Sequence, residues 1–443
     1  MDRTVFEESS IAKSYIKLSL PLVFSMVITL IYNLADTFFV AQTNNTNLVA
    51  GVSLAAPVFT FFMALGNIFG QGGSSLISRL LGRDEQTGVR HVSSFCLYVT
   101  FFCGIVVAVL MLLFHDPILR LLGANEETYA YAWEYYLYLS LGAPAVLVNF
   151  IHSNLLRSEG LSKESMMGTV SGALVNIVLD PILISVCGLG AKGAAIATVI
   201  GYIFTDIFFL VIVHKRSRIL SLNIKEIGIS AQYMVQIFGI GIPAAFSNIM
   251  QSVSVILVNQ FLLPYGNEQI AAMGIVLKVN MIALLILTGF TFGSQPLFGY
   301  FYGSGAKEKL RELLRFCFWF ISAIAVLLTI VVLAFAPALM SCFMNNAQII
   351  ADGTVMLRWQ VISMFFVGIV LLMTIVFQSF GKIAGSFLLS ISRQGVVFVI
   401  VLSVATAIGG YTGILVSQAI ADVITAFLAG LLFLKQIYPE IRG

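Results

Sequence analysis

Long apolar runs alternate with short polar or Gly/Pro-rich interruptions along almost the whole chain. A helix needs about 20 apolar residues to cross a bilayer. Read on that template, the pattern predicts twelve helices, near 15–40, 48–73, 91–114, 131–156, 164–187, 191–213, 231–262, 269–300, 313–336, 355–379, 383–408 and 411–435. Strands are excluded for these runs: in lipid an open strand edge leaves backbone groups unpaired, and barrel strands are about half as long. The expected fold class is all-α, a polytopic membrane protein of twelve transmembrane helices.

Shifting the sequence against itself by about 222 residues brings its halves into register. Leu20-Pro21 and Ser25 fall on Ile242-Pro243 and Ser247, RSEG at 157–160 meets QSFG at 378–381, and Gly193 meets Gly413 within a residue or so. Each half therefore holds six spans. An even number leaves both halves in the same orientation, so two pseudo-symmetric six-helix bundles related by an axis along the membrane normal are expected, with a cleft between them. The domains read as an N-terminal lobe, 1–213, a cytoplasmic linker, 214–230, and a C-terminal lobe, 231–443. Two similar lobes around one cleft is an architecture suited to alternating access.

Composition narrows the class. Of 443 residues, 59% are hydrophobic and 10% charged, whereas a soluble domain carries about 25% charged residues. That balance excludes a soluble enzyme, a nucleic-acid binder and a disordered scaffold. The net charge of +3 is too small to argue for a polyanionic partner. The basic residues have a topological reading instead, since cytoplasmic loops are enriched in Lys and Arg. With both termini cytoplasmic, the inner segments hold Arg3, Lys13 and Lys17; Arg79, Arg83 and Arg90; Arg157 and Lys163; Lys215, Arg216, Arg218 and Lys225; Lys307, Lys309, Arg311 and Arg315; Lys382 and Arg393; and Lys435 and Arg442. The outer loops keep Arg120, Lys192 and Arg358. The polar start MDRTVFEESSIAKSYIK reads as an approach to the first span rather than a cleaved leader.

Ionisable groups inside spans are costly and mark pathways or sites. Asp36, Asp180, Asp206, Lys278 and Asp422 are the clear cases, with His152 as a possible extra. Counted from the outer helix ends, Asp36, Asp180 and Thr198 share one level of the first lobe. Asn176 lies four residues before Asp180, on the same helix face. Pro181 removes a backbone donor and loosens a carbonyl beside the carboxylate. Such an oxygen set suits a small hard cation, or else carries a proton. In the second lobe Lys278 and Asp422 lie at similar depth and are expected to form a neutral pair, unless Lys278 faces the cleft and an anionic group. Asp206, nearer the inner end of its span, reads as a wet structural residue.

Other apparent motifs carry less. Gly188-Leu-Gly190-Ala-Lys-Gly193 fits GxGxxG but follows no strand. Gly66, Gly70, Gly168, Gly172, Gly299 and Gly303 stand at four-residue spacings that permit close helix contact. The tyrosines around Trp133, from Tyr129 to Tyr138, read as an interfacial belt. The five cysteines and four histidines are scattered, with no metal-ligand or hydrolase pattern, so no enzyme chemistry, cofactor or metal beyond a possible Na+ is expected.

LPLVFSMVITLIYNLADTFFVA in span one, RSEG after span four, NIVLDPILI in span five and the GAAIAT start of span six resemble the multidrug and toxic compound extrusion (MATE) transporters, in particular their bacterial MepA-like and DinF-like branch. The resemblance covers essentially the whole chain. It implies a secondary antiporter of the cell membrane that exports amphipathic, often cationic drugs in exchange for Na+ or H+, expected as a monomer. The family's first-lobe cation site carries over onto Asp36, Asn176, Asp180 and Thr198. Another branch has acidic residues in the second lobe where this chain offers Gln251 and Gln378. By helix position, Met26, Tyr32, Asn33, Met63, Asn154, Met250, Gln251, Lys278, Asn280 and Gln378 are candidates for a substrate cleft. A flippase for lipid-linked saccharides or another anionic lipid is the alternative, since related two-lobe folds do that work.

Overall fold

The computed structural model describes residue 6, residues 10–343 and residues 346–442; Arg3 of the topological reading lies outside them. All regular structure among the described residues is helical: α1 (Ile11–Ala41), α2 (Thr46–Gly82), α3 (Gln86–Leu113), α4 (His115–Leu121), α5 (Tyr129–Leu141), α6 (Ala143–Ser158), α7 (Ser162–Asp180), α8 (Gly190–Lys215), α9 (Ala231–Leu262), α10 (Asn267–Gly293), α11 (Gln295–Gly303), α12 (Lys307–Ser341), α13 (Ala347–Val361), α14 (Met364–Ser379), α15 (Ile383–Ile391), α16 (Val397–Gln436) and α17 (Tyr438–Arg442). Alpha-helix gives way to π-helical turns at Pro181–Val186 and Ser392–Val396.

Twelve crossings follow from this list once its breaks are understood. Nine helical segments among the described residues are long and apolar enough to span a bilayer, and two bent pairs supply further crossings. Span four is not straight: α5 and α6 meet at 53° around Gly142, where Pro144 cannot donate to the preceding turn. Span ten bends by 44° between α13 and α14. No proline stands there; Thr329 instead donates to the Val361 carbonyl at 3.2 Å, and Ser363 turns its hydroxyl to Asp422. The two bends occupy equivalent places in the repeat.

The last break is hidden in a 54-residue helical stretch, Ile383–Gln436, about 80 Å if straight and far too long for one crossing. Gly410 interrupts it at φ 54° and ψ −128°. A Cβ on Gly413 would lie 1.9 Å from the Ala405 carbonyl oxygen, whereas residues eight apart on a straight helix stand about 12 Å apart. The chain therefore doubles back at Gly410, and two spans result. The first half makes the same turn at its fifth and sixth spans, where a Cβ on Gly193 would meet the Leu183 carbonyl at 2.8 Å.

The described residues divide into two compact units, residue 6 with residues 24–245, and residues 10–23 with residues 246–343 and 346–442. The division falls just after Pro21 in α1 and just after Pro243 in α9. In the second unit the start of α1 is anchored by Tyr15, whose hydroxyl donates to the Phe290 carbonyl at 3.0 Å and whose ring meets Phe316 and Phe320 edge-on. Gly289 and Gly293 of α10 let the backbone of Val23 and Ser19 approach. In the first unit the start of α9 lies on α2 through Gly72 against Ile237 and Gly241 against Ile68, and Arg79 donates to Gln236 at 2.9 Å. Leucine, isoleucine and phenylalanine side chains stay exposed along the spans, Phe102 at 66% and Ile408 at 84% among them, as expected of a surface meeting acyl chains.

The hairpin geometry makes a prediction. Gly413→Ala forces backbone apart at the Gly410 turn and costs about 1–3 kcal/mol as an overpacked contact. A lower thermal unfolding midpoint in detergent is expected, while Gly274→Ala, with open space beside it, leaves the midpoint unchanged or higher.

Candidate functional site

The site in the first unit is built from three pairs of residues four apart. Tyr32 and Asp36 share a face of α1, Asn176 and Asp180 a face of α7, and Thr198 and Tyr202 a face of α8. Small residues bring α7 and α8 close enough for these faces to meet. A Cβ on Gly172 would fall 1.8 Å from the Thr205 hydroxyl, and one on Gly201 would fall 2.9 Å from the Gly172 carbonyl and 3.2 Å from the Asn176 Cβ. Asn176 therefore lies directly across from the turn carrying Thr198.

Asp180 is fully buried and Asn176 and Thr198 nearly so. The Asn176 amide joins them: with its nitrogen toward Asp180 it donates to Oδ2 at 3.2 Å, while its oxygen accepts from the Thr198 backbone N–H at 3.1 Å. Asp36 lies within Coulombic reach of Asp180, and its Oδ1 is buried without a hydrogen-bond partner among the described residues. The hydroxyl of Tyr135, from α5, reaches Thr198 and lies within electrostatic range of both carboxylates, and the hydroxyls of Tyr32 and Tyr202 meet each other. The carboxyl end of α7 passes straight into the π-helical turn Pro181–Val186, where Cys187 N–H bonds to the Ile182 carbonyl at 2.8 Å. Pro181, expected to loosen the backbone beside the carboxylate, begins that turn.

Two carboxylates, a hydroxyl and phenols, with no ion-pairing Lys or Arg among the described residues, form a largely buried, oxygen-rich and electronegative pocket. Chemically it can hold a small hard cation or a proton. No group of three or more His, Cys, Asp or Glu residues placed to hold a metal ion occurs among the described residues.

Two members of the site escape a reading by composition. Tyr135 sits in a run of tyrosines that looks like an interfacial belt, yet it is only 8% exposed and belongs to the acidic pocket; Tyr136, fully buried, donates to the Met111 carbonyl instead. Tyr202 carries a signal that was present: Thr198, Tyr202 and Asp206 recur every four residues as one polar stripe on an apolar helix.

The second unit is different. Asp422 is buried but pairs with Arg393, whose Nε donates to Oδ1 at 3.1 Å; Ser363 donates to Oδ2 at 2.7 Å and Gln418 to Oδ1 at 3.1 Å. The expected Lys278–Asp422 pair is thus replaced, and Lys278 is exposed with no ion pair among the described residues. Arg393 is not a loop residue either. It lies in the π-helical turn Ser392–Val396, ten residues into the span, where the widened backbone aims the guanidinium at α16. Hydroxyls of α9 brace that turn, with Ser247 donating to the Ser390 carbonyl at 3.1 Å and Ser254 to the Gln394 carbonyl.

The remaining cleft candidates divide between the units. In the first, Met26 and Met63 are half-buried, Asn33 is exposed, and Asn154 is spent locally, donating to the Phe150 carbonyl at 2.6 Å and accepting from Arg157. In the second, Met250 is half-buried beside Gly395, Gln251 is exposed, and Asn280 and Gln378 are buried.

A polytopic, all-helical membrane protein with two related halves is the class these features define. The chain belongs to the MatE family, whose model matches residues 21–182 and again 243–405, one match in each half and each beginning at the proline of the half's first span. Similar proteins include the multidrug export protein MepA of Staphylococcus haemolyticus strain JCSC1435, 34% identical over 424 residues that cover 96% of this chain and 93% of that one. MepA of Staphylococcus aureus strain MRSA252 is 33% identical over 427 residues, covering 96% and 94%. Among solved structures, one described as the outward-facing conformation of a multidrug resistance MATE family transporter superposes with a TM-score of 0.93 at 25% identity, covering 99% of this chain and 98% of that one. Another, of MATE in the bent conformation, superposes at 0.91 with 26% identity, covering 98% and 97%.

The ion pair of the second unit can be separated from the acidic pocket by stability. Asp422→Leu leaves the half-buried Arg393 uncompensated and costs up to about 3 kcal/mol, the low end for breaking a buried pair. The double variant Arg393→Met, Asp422→Leu recovers most of that loss, read from thermal unfolding in detergent.

Proposed function

We propose that the protein is a secondary antiporter of the cell membrane, with both termini cytoplasmic, that exports amphipathic, often cationic compounds in exchange for Na+ or H+ by alternating access. The observation that carries this reading is the fully buried Asp180 and the half-buried Asp36, whose Oδ1 is itself buried, grouped with Asn176, Thr198 and Tyr135 and with no counter-cation among the described residues. A negative charge held in a low-dielectric interior is unstable until a cation or proton discharges it. Entry of the ion therefore changes the electrostatics of α1, α7 and α8 together. The MepA relatives, named as multidrug export proteins, support the same direction of transport.

In the cycle, Asp36 and Asp180 take Na+ or a proton from outside, with Thr198 and Tyr135 supplying neutral oxygens. The discharged pocket lets α1 repack beyond Pro21, the organic cation leaves outward, and loss of the ion to the cytoplasm restores the charge that favours reloading. Coupling requires that ion and drug bind together less well than either alone. The half-buried Met26, Met63 and Met250 suit a pathway that accepts many shapes, because thioether side chains repack at little cost. The protein acts as a monomer in this reading, since each chain carries both halves. A flippase for anionic lipid would need several uncompensated cations facing the cleft; Arg393 is neutralised by Asp422, and Lys278 is a single exposed residue of α10 without an ion pair among the described residues.

Reconstituted into liposomes, the protein should drive efflux of a fluorescent organic cation under an inward Na+ or H+ gradient imposed one at a time. Asp36→Asn and Asp180→Asn should each reduce that gradient-driven flux by about 100-fold or more, the scale of a lost coupling free energy of roughly 3 kcal/mol. Full gradient-driven efflux by either variant refutes the coupling role.

A further inference from the structure

A cavity of about 760 Å³ lies within the first unit, between α3, the bent pair α5 and α6, and α8. Its walls are almost entirely apolar, with Phe101, Leu141, Val148, Ile203 and Ile207 prominent. Several of these also form the outer surface of the unit, Leu141 at 55% and Ile207 at 56% exposure. In a protein surrounded by acyl chains, such a crevice opens sideways to lipid rather than to water. At the end toward Leu222 the Tyr98 hydroxyl donates to the Leu222 carbonyl at 2.6 Å; at the other end the wall is Tyr138, whose ring carries the Lys192 ammonium 5.2 Å from its centroid.

One wall residue is out of keeping. Asp206 lines the cavity, is itself 8% exposed, and has no Lys or Arg partner among the described residues. Its hydrogen bond is a long one, from Asn149 Nδ2 to Oδ1 at 3.4 Å. A carboxylate is among the costliest side chains to place in a membrane helix, and the acidic pocket does not use this one. The volume falls in the range of a small-molecule site, roughly 300–1,000 Å³.

We propose that this crevice is a second binding site for amphipathic organic cations, which enter it from the lipid with their apolar body among the aliphatic walls and their positive group on Asp206. Lys192 beyond the far end opposes the reverse orientation, so the cation lies toward the Lys215 end of α8. The inference rests on the reading of the protein as an exporter of such compounds, and assigns them a point of entry separate from the acidic pocket. It also explains why the polar stripe Thr198, Tyr202, Asp206 extends beyond that pocket: Tyr202 lies within Coulombic range of Asp206 and meets Tyr32, beside Asp36. A neutral occupant such as a phospholipid acyl chain would leave the carboxylate without a counter-charge.

The test uses the full chain in lipid nanodiscs and two probes of one shape and opposite charge, tetraphenylphosphonium and tetraphenylborate, with empty nanodiscs subtracted. Saturable phosphonium binding is expected, weakened about tenfold or more by Asp206→Asn while tetraphenylborate binding is not weakened. Ile203→Trp, which fills the crevice and keeps the carboxylate, should reduce phosphonium binding as well. A photoactivatable aryl phosphonium should label α3 and α8 in the wild type and not in Ile203→Trp. Phosphonium affinity unchanged in both variants overturns the proposal, as does native mass spectrometry showing a phospholipid that stays bound regardless of Asp206. Because binding is read without a gradient, failure of the wild type to transport would count against the antiport reading alone. Asp180→Asn should keep crevice binding.

Discussion

Everything in this protein is organised by the cost of holding charge away from water. A carboxylate in a membrane interior is tolerated when it is paired, fully hydrogen-bonded, or discharged by something mobile. The two units resolve that constraint in opposite ways. In the second, Asp422 is neutralised by Arg393 and its oxygens are further occupied by Ser363 and Gln418. In the first, Asp36 and Asp180 have no cationic partner among the described residues, and their surroundings offer an amide, a hydroxyl and phenols instead. One half pairs its buried charge internally, and in the proposed antiport the other half leaves its charge to a mobile ion.

The backbone supports this difference with devices that recur in both halves. Each half has a proline in its first span, a bend in its fourth, and a tight turn between its fifth and sixth held by a glycine, Gly193 or Gly413, against a carbonyl of the preceding span. Where the halves diverge, chemistry has been placed. In the first unit Gly172 and Gly201 bring two helices into backbone contact and so deliver Asn176 to Thr198. In the second, the helices corresponding to these carry Arg393 and Asp422, and a π-helical turn opens the backbone to seat the guanidinium.

Much of this was legible in the chain itself. Apolar run length and the internal repeat specify the spans, because lipid permits so few backbone solutions. Asp36, Asp180 and Thr198 could be grouped by depth, since helix rise is fixed, and Asn176 by its four-residue spacing from Asp180. What could not be read is equally physical. Choosing Lys278 as the partner of Asp422 used depth, which ignores the rotation of a helix about its axis; Arg393 was hidden by its closeness to a basic loop. Tyr135 was masked by neighbours that do resemble an interfacial belt. The bend at Ser363 has no proline, and its contacts are the Thr329 hydroxyl of α12 and the Asp422 carboxylate of α16, which no local pattern reveals.

In the proposed antiport cycle the acidic pocket is discharged by a mobile ion whose presence competes with the organic cation. This competition is tested most directly by adding an organic cation to purified protein in weakly buffered detergent solution and measuring the Na+ or protons released. Release of ion as drug binds is expected, and its loss in Asp180→Asn. Saturable drug binding by the wild type with no displacement of either ion would contradict it.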